Sequence, residues 1–373
     1  MQIGVPKEIK NHEYRVGLSP AGVKELVQDG HDIFIESTAG NGAGFGDQDY
    51  QKAGAVILDT AEQIFLQCEL IVKVKEPLPS ERILLQPHQT LFTYLHLAPD
   101  PDQTADLIQS GACCIAYETV VDHHGKLPLL APMSEVAGRM SIQAGARCLE
   151  KSMQGRGVLL GGVPGVEPAR VVIIGGGVVG QNAITVAVGM GAQVSVLDTS
   201  VDQLRRLDQQ YGNRICTLYS SSQAIEDFVI NADLVIGGVL LPGAAAPKLV
   251  SYELVGAMKA GAVIVDVAID QGGCVATSKA TTHDNPTFVV DDVVHYCVAN
   301  MPGAVARTST IALNNATLPY ILELANKGSK RSLTENPQLR EGVNICGGKV
   351  THKPVADAQG LEYTPASVAL KSI

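Results

Sequence analysis

The chain has no tryptophan, no Cys-x-x-Cys pair, no long apolar run and no cluster of basic residues. Each lack closes off a class of function. Its eight cysteines, at 68, 113, 114, 148, 216, 274, 297 and 346, are scattered, and no cysteine–histidine group has zinc-ligand spacing. Most lie in apolar stretches such as residues 112–115 and read as buried, reduced thiols. No run approaches the ~18 apolar residues of a membrane helix, so no membrane association is expected. A net charge of −10 without a basic patch argues against a nucleic-acid partner. The opening MQIGVPKEIK carries no secretory signal, and the expected location is the cytoplasm. Repeats and low-complexity tracts are also missing.

What is present is glycine and small aliphatics. The 373 residues include 38 glycines and are 46% hydrophobic against 18% charged, enough apolar material for two cores. Runs of Val, Ile and Ala between glycine turns are the composition of parallel sheets buried on both faces. Residues 2–5, 32–36, 70–75, 90–96 and 113–118 read as strands. Residues 21–28, 61–67 and 102–110 read as the helices between them. A break at 123–128 precedes a helical pattern over 134–154, with Ser134 as its start. A second unit opens at Ala169, with strands at 170–174, 193–197, 234–237, 263–267 and 288–290 and a helix at 178–190. A long helical stretch at 304–326 is expected to return to the first domain. The expected fold is α/β, with two Rossmann-like doubly wound parallel-sheet domains. Residues 1–128 and 305–373 form a discontinuous substrate domain, and 129–304 a nucleotide-binding domain.

The segment VVIIGGGVVG, residues 171–180, matches Gly-x-Gly-x-x-Gly. It follows an apolar strand, opens a helix, and is followed about twenty residues on by a strand ending in Asp198. Gly175 permits the tight turn, Gly177 lets backbone approach a diphosphate, and Gly180 lets helix and strand pack closely. The helix N-terminus offers unpaired N–H groups to the anion. Asp198 is placed to accept from the adenosine ribose hydroxyls and to repel a 2′-phosphate, which selects NAD over NADP.

Ligands of open α/β sheets gather beyond the carboxyl ends of strands. Arg15, Lys75, His96, Asp270 and Asn300 fall there. Hydride transfer to a small oxo acid needs a cation for the carboxylate and a general acid for the carbonyl oxygen. Arg15 and Lys75 offer the first and His96 the second, while Asp270 tunes the charge. Each also has a plainer reading: solvated surface charges, a satisfied histidine, a turn-starting aspartate. The pattern alone stops at an NAD-dependent oxidoreductase of unstated substrate.

Seven segments carry a resemblance to the alanine dehydrogenase family, which also includes pyridine nucleotide transhydrogenases. They are IGVPKEIKNHEYRVGLSP, IVKVKEPLPSE, FTYLHLAPD, LLAPMSEVAGRMSIQAG, IGGGVVG, DVAIDQGG and VANMPGAVARTST, and they run through nearly the whole chain in the family's order. The resemblance implies that Arg15 and Lys75 bind the pyruvate carboxylate, that His96 is the proton donor and acceptor, and that Asp270 is the second catalytic residue. It places Ser134, Val239, Leu240, Val267, Ala268, Ile269, Asp270, Val298, Ala299, Asn300 and Met301 on the nicotinamide and ribose side of NAD. It places Val178, Val179, Asp198 and Ser220 on the adenosine diphosphate side. The implied reaction is reversible oxidative deamination of L-alanine to pyruvate and ammonium, by a homohexamer. Gln203 departs from the family's basic residue beside the adenine ribose. Lys327, paired with Glu323, stands where some members have a metal ligand, so no metal is expected. Two other readings stay open: a soluble NAD-binding transhydrogenase subunit or saccharopine-type enzyme, and an NAD-sensing protein without turnover. The catalytic reading requires Arg15, Lys75, His96 and Asp270 to converge.

Overall fold

The computed structural model describes residues 1–239 and 246–372. Leu240 therefore lies outside the described residues. The chain divides into two compact units, Met1–Met133 with Gly303–Ile373, and Ser134–Pro302. In chain order the strands are β1 Gln2–Val5, β2 Asp32–Glu36, β3 Val56–Leu58, β4 Leu70–Val72, β5 Thr90–Thr93, β6 Cys113–Ala116, β7 Arg170–Ile174, β8 Gln193–Asp198, β9 Ile215–Tyr219, β10 Leu234–Gly237, β11 Val263–Asp266, β12 Thr287–Val290, β13 Val293–Tyr296, β14 Val343–Cys346 and β15 Lys349–Val350.

The first unit holds the sheet β15-β14-β6-β5-β4-β1-β2-β3. Strands β1 to β6 are mutually parallel, and β14 and β15 extend the β6 edge antiparallel. The central strands LIV, TLFT and CCIA are buried at every position, as expected of a sheet covered on both faces. Crossover helices begin where caps allow. Thr60 accepts from Gln63 N while the Gln63 side chain returns to the cap, and Asp100 accepts from Gln103 N. One core cluster joins Ile64, Phe65, Ile71, Leu91 and Leu107 to Ile345 and Val355 from the C-terminal segment. The helix Ala306–Lys327 also lies in this unit. Asn314 Oδ1 accepts from Ser19 N at 2.9 Å, and Arg307 donates to the Ala43 and Gly44 carbonyls. A Cβ on Gly22 would sit 2.6 Å from Asn314 Oδ1, so glycine is what permits that approach.

The second unit holds the sheet β12-β13-β11-β10-β7-β8-β9, parallel except for the edge strand β12. Both units share one strand order: β3-β2-β1-β4-β5-β6 in the first matches β9-β8-β7-β10-β11-β13 in the second. That is the order of doubly wound dinucleotide-binding sheets.

Several elements differ from the sequence expectation. Strands expected over 70–75, 90–96 and 113–118 stop at Val72, Thr93 and Ala116. For the first two, backbone N–H groups beyond those points leave the ladder for carboxylates from other loops. Val74 and Lys75 donate to Glu8, and Leu95 and His96 donate to Glu118. The helix expected over 134–154 is Ala131–Cys148, so Ser134 is inside it rather than at its start. The Leu127 carbonyl accepts from Ala131 N, and Pro132, which needs no donor there, fits the first turn. Residues 288–290 belong to a half-exposed edge strand, not a buried one. Seven cysteines are buried and free, but Cys216 is exposed. Strands β3, β9, β14 and β15 were not anticipated, because short runs such as ICTLY carry no clear period.

Candidate active site

In the first unit the strand order reverses between β1 and β4, the position where open sheets take ligands. The loops leaving β1, β4, β5 and β6 carry Arg15, Lys75, His96 and Glu118, so the three basic candidates of this unit share one sheet edge. Side chains tie these loops together. Glu8 Oε1 accepts from Val74 N at 2.6 Å and Lys75 N at 3.3 Å, and Thr93 Oγ1 donates to the Lys75 carbonyl at 3.0 Å. Glu118 Oε1 accepts from His96 N at 2.7 Å and lies 3.8 Å from His96 Nδ1. His96 itself is left-handed (φ 50°), stacks on Tyr94 at 5.8 Å, and keeps about half of its side chain exposed. A non-glycine residue holds that backbone only when its surroundings enforce it. The Glu118 carboxylate and the Tyr94 ring, whose hydroxyl donates to the Leu129 carbonyl at 2.6 Å, do so here.

The two cations that the sequence treats alike are not equivalent. Arg15 is buried at 2% exposure, and Glu13 grips it: Nε donates to Oε1 at 2.6 Å and Nη2 to Oε2 at 2.5 Å, with Nη1 3.0 Å from Met133 Sδ. Burial opposes the guanidinium charge, but the Glu13 hydrogen bonds and charge hold its pKa above the usual value. Its fork is thus fixed in orientation and its charge largely balanced. Lys75 is half-buried, and its Nζ makes no hydrogen bond or ion pair among the described residues. Lys73, two positions earlier, is fully buried between Glu8 (3.1 Å) and Glu81 (2.7 Å). Burial pushes the Glu8 carboxyl up, opposed by Lys73. The Lys73 ammonium, which burial alone would lower, is held up by the two carboxylates.

In the second unit the corresponding reversal lies between β7 and β10. The turn after β7 begins at Gly175, with φ 98°, where a Cβ would meet the Gly238 carbonyl at 2.8 Å. At Gly180 a Cβ would lie 1.9 Å from the Gly175 carbonyl, so helix and turn touch through backbone. At Gly177 a Cβ meets nothing within 4 Å, so the backbone there faces open space. The helix Val178–Gly189 starts there with no side-chain cap, leaving its first N–H groups for an anion. Asp198 Oδ2 accepts from Gly176 N and Oδ1 from Ser200 N, both at 2.7 Å. A carboxylate has roughly four acceptor positions, so two remain for ribose hydroxyls. The residues present therefore fit an adenine dinucleotide.

The other second-unit candidates lie at the same edge. Ser220 follows β9, with its N–H on the Asp198 carbonyl. Val239 follows β10. Val267, Ala268, Ile269 and Asp270 form a 3-10 turn after β11, with Asp270 exposed. Val298, Ala299, Asn300 and Met301 follow β13, with Val298 and Met301 buried, Ala299 exposed and Asn300 left-handed. Val179 is buried and Val178 exposed at the helix start, while Ser134 is half-buried on the helix Ala131–Cys148. Gln203, set aside for lacking charge, instead braces the turn by donating to the Gly176 carbonyl at 2.7 Å. Lys327 bridges Glu323 and Glu335.

Sequence reasoning passed over the carboxylates that hold the site. Glu8, Glu13 and Glu118 have no motif of their own, although Glu13 stands two residues from Arg15. Asp266 is the second unit's counterpart. Fully buried, it accepts from Ala268 N, Val275 N and the Ser278 hydroxyl, and so shapes the turn that carries Asp270.

Two doubly wound units, one with a Gly-x-Gly-x-x-Gly turn opening a helix, place the chain in the class of Rossmann-type oxidoreductases. More narrowly, it belongs to the alanine dehydrogenase/PNT family: the N-terminal domain model matches residues 4–137 and the C-terminal domain model residues 141–353. The alanine dehydrogenase of Halomonas elongata is 57% identical over 367 residues, covering 98% of this chain and 99% of its own. A solved L-alanine dehydrogenase superposes with a TM-score of 0.93 at 55% identity, over 96% of this chain and 99% of that one. A transhydrogenase from Sinorhizobium meliloti shares the fold (TM-score 0.80) at 23% identity, over 94% of this chain and 99% of that one.

Proposed function

We propose that the chain is an NAD-dependent L-alanine dehydrogenase, converting L-alanine reversibly to pyruvate and ammonium. The observation that carries the reading is the edge of the first unit. There a fixed guanidinium, an ammonium without a salt bridge among the described residues and a half-exposed imidazole hang from adjacent strands, on loops held by the carboxylates of Glu13, Glu8 and Glu118. To the substrate carboxylate Arg15 presents a preset fork, and Lys75 an ammonium without a salt bridge among the described residues. In the direction of amination, ammonia adds to the ketone of pyruvate, and His96 protonates the departing hydroxyl as water leaves. In the reverse direction it takes a proton from the attacking water. Glu118 stands on the Nδ1 side of the ring, which leaves Nε2 for proton exchange with substrate. Asp270 assists with the charge of the ammonia and water that enter and leave. Residues 175–180, Asp198, Ser220 and the turn after β11 hold NAD, which supplies the hydride acceptor when bound. A cytoplasmic homohexamer without nucleic-acid, membrane or metal partners completes the proposal, and light scattering on the purified chain tests the oligomer.

The test is NADH formation with L-alanine, run beside L-serine, L-lysine and D-alanine. L-Alanine should be the best substrate by far, and His96→Ala should lose about 100-fold or more of kcat, the range of a positioned acid–base group, while still binding NADH. Hydride exchange between two nucleotides without alanine turnover, or normal turnover by the variant, would overturn the reading.

A further inference from the structure

The proposed chemistry uses none of the cysteines, yet two of them face each other across the antiparallel seam of the first unit. Strand β14 pairs with β6 with Ile345 opposite Cys114. The register shifts between Val343 and Ile345; carried one step past the Ile345–Cys114 pair, it sets Cys346, the last residue of β14, against Cys113, the first of β6. Directly opposed antiparallel residues share a face and have Cα atoms about 4.5–5.5 Å apart. Disulfides span Cα separations of about 4.4–6.8 Å. Cys114, next in the chain, turns to the other face of the sheet.

The position of Cys346 is held on its far side as well. Gly347 and Gly348, with φ 57° and 74°, make the two-residue hairpin that pairs Cys346 with Lys349. Each thiol is the strongest influence on the other, which holds the Cys346 thiol below and the Cys113 thiol above the ordinary value. Both residues are buried, but Cys113 and Gly347 line a cavity of about 710 Å³ with Gln89, Thr90 and Gly111. The cavity wall thus reaches one member of the pair, Cys113.

We propose that Cys113 and Cys346 form a reversible oxidation site that closes to a disulfide with a small hydroperoxide as oxidant. The Cys346 thiolate attacks one peroxide oxygen. The O–O bond breaks, the leaving hydroxide takes a proton to become water, and a sulfenic acid remains. The Cys113 sulfur then attacks the sulfenic sulfur. The S–S bond forms, the S–O bond breaks, and the hydroxide leaves as a second water with the Cys113 proton. Two thiols and one hydrogen peroxide become one disulfide and two waters. The link ties the C-terminal segment to the N-terminal one within the first unit and closes a very long loop, which raises resistance to unfolding.

The experiment treats the full-length protein with hydrogen peroxide, alkylates it, and maps its peptides without reduction. A 113–346 linked peptide is expected, two hydrogens lighter than the two thiol peptides together and abolished by dithiothreitol. Tm should rise by several degrees in the wild type and not in Cys346→Ser, which should keep its dehydrogenase activity. Cys113→Ser, from the other side, should likewise yield no linked peptide. If Cys113 and Cys346 remain fully alkylatable while exposed Cys216 oxidises, or if Cys113 joins Cys114 instead, the proposal fails. A linked peptide without a Tm rise overturns the bracing role.

Discussion

Replacing Lys73 by methionine tests both the buried charge network and its link to the site. Lys73 is fully buried, with Glu8 Oε2 at 3.1 Å and Glu81 Oε1 at 2.7 Å. Methionine fills a similar volume, so cavity formation contributes little. What changes is charge: two buried carboxylates lose their shared cation. Removing one partner of a buried ion pair costs about 3–5 kcal/mol. For a unit of this size that corresponds to a Tm decrease of roughly 6–20 °C, at about 2–4 °C per kcal/mol. The loss should depend on pH. Burial already raises the Glu8 carboxyl, and Lys73 opposes that rise; without Lys73 the folded-state value climbs further above the unfolded one. Such a group contributes stability that is fully present below the unfolded value, about 4.3, and is lost as pH rises through the folded value. The Tm gap between wild type and variant should therefore be smaller near pH 5 than near pH 8. Glu8 also anchors Val74 N and Lys75 N, so KM for pyruvate should rise at temperatures where the variant is folded. Differential scanning calorimetry at the two pH values decides the matter. A Tm decrease under 3 °C, or a gap independent of pH, would refute the assignment of Lys73 as the stabilising cation.

Three further substitutions probe the site directly. Lys75→Met should raise KM for pyruvate by about 10–100-fold, the equivalent of losing a charged hydrogen bond of ~1.5–3 kcal/mol; unchanged initial-rate kinetics would remove Lys75 from substrate binding. Gly180→Ala places a Cβ 1.9 Å from the Gly175 carbonyl, so the turn must shift. NADH affinity by fluorescence titration should weaken at least ~10-fold, a loss of about 1.4 kcal/mol, and an unaltered Kd would show that the turn does not hold the cofactor. Asp198→Asn removes the charge that repels a 2′-phosphate, and the ratio of NADP to NAD efficiency should rise. A constant ratio would mean that Asp198 serves only the backbone of Gly176 and Ser200.

The two lysines of the segment VKVKEP show where sequence reading stops. The sequence places both at the end of one apolar strand and says nothing of which is paired. Lys73 is enclosed by carboxylates from 65 residues before it and 8 after it, while Lys75 is not. That difference belongs to long-range packing, because an ion's partner depends on which loops the sheet order brings together. The same holds for Arg15, whose fork is taken by Glu13, and for His96, whose left-handed backbone depends on Glu118 from the neighbouring strand's loop.

Local physics was sufficient for the glycine turn, the strand before it and the acidic residue after it, because each is constrained by sterics or hydrogen bonding within a few residues. It also sufficed for the apolar strands at the centre of each sheet, whose burial on both faces leaves a continuous hydrophobic run. Tertiary structure decided the strand order, the exact ends of β4, β5 and β6, the seam where β14 meets β6, and the carboxylate behind each basic group. Those features arise from contacts between segments far apart in the chain, where the energy of a pairing depends on geometry that no local pattern encodes.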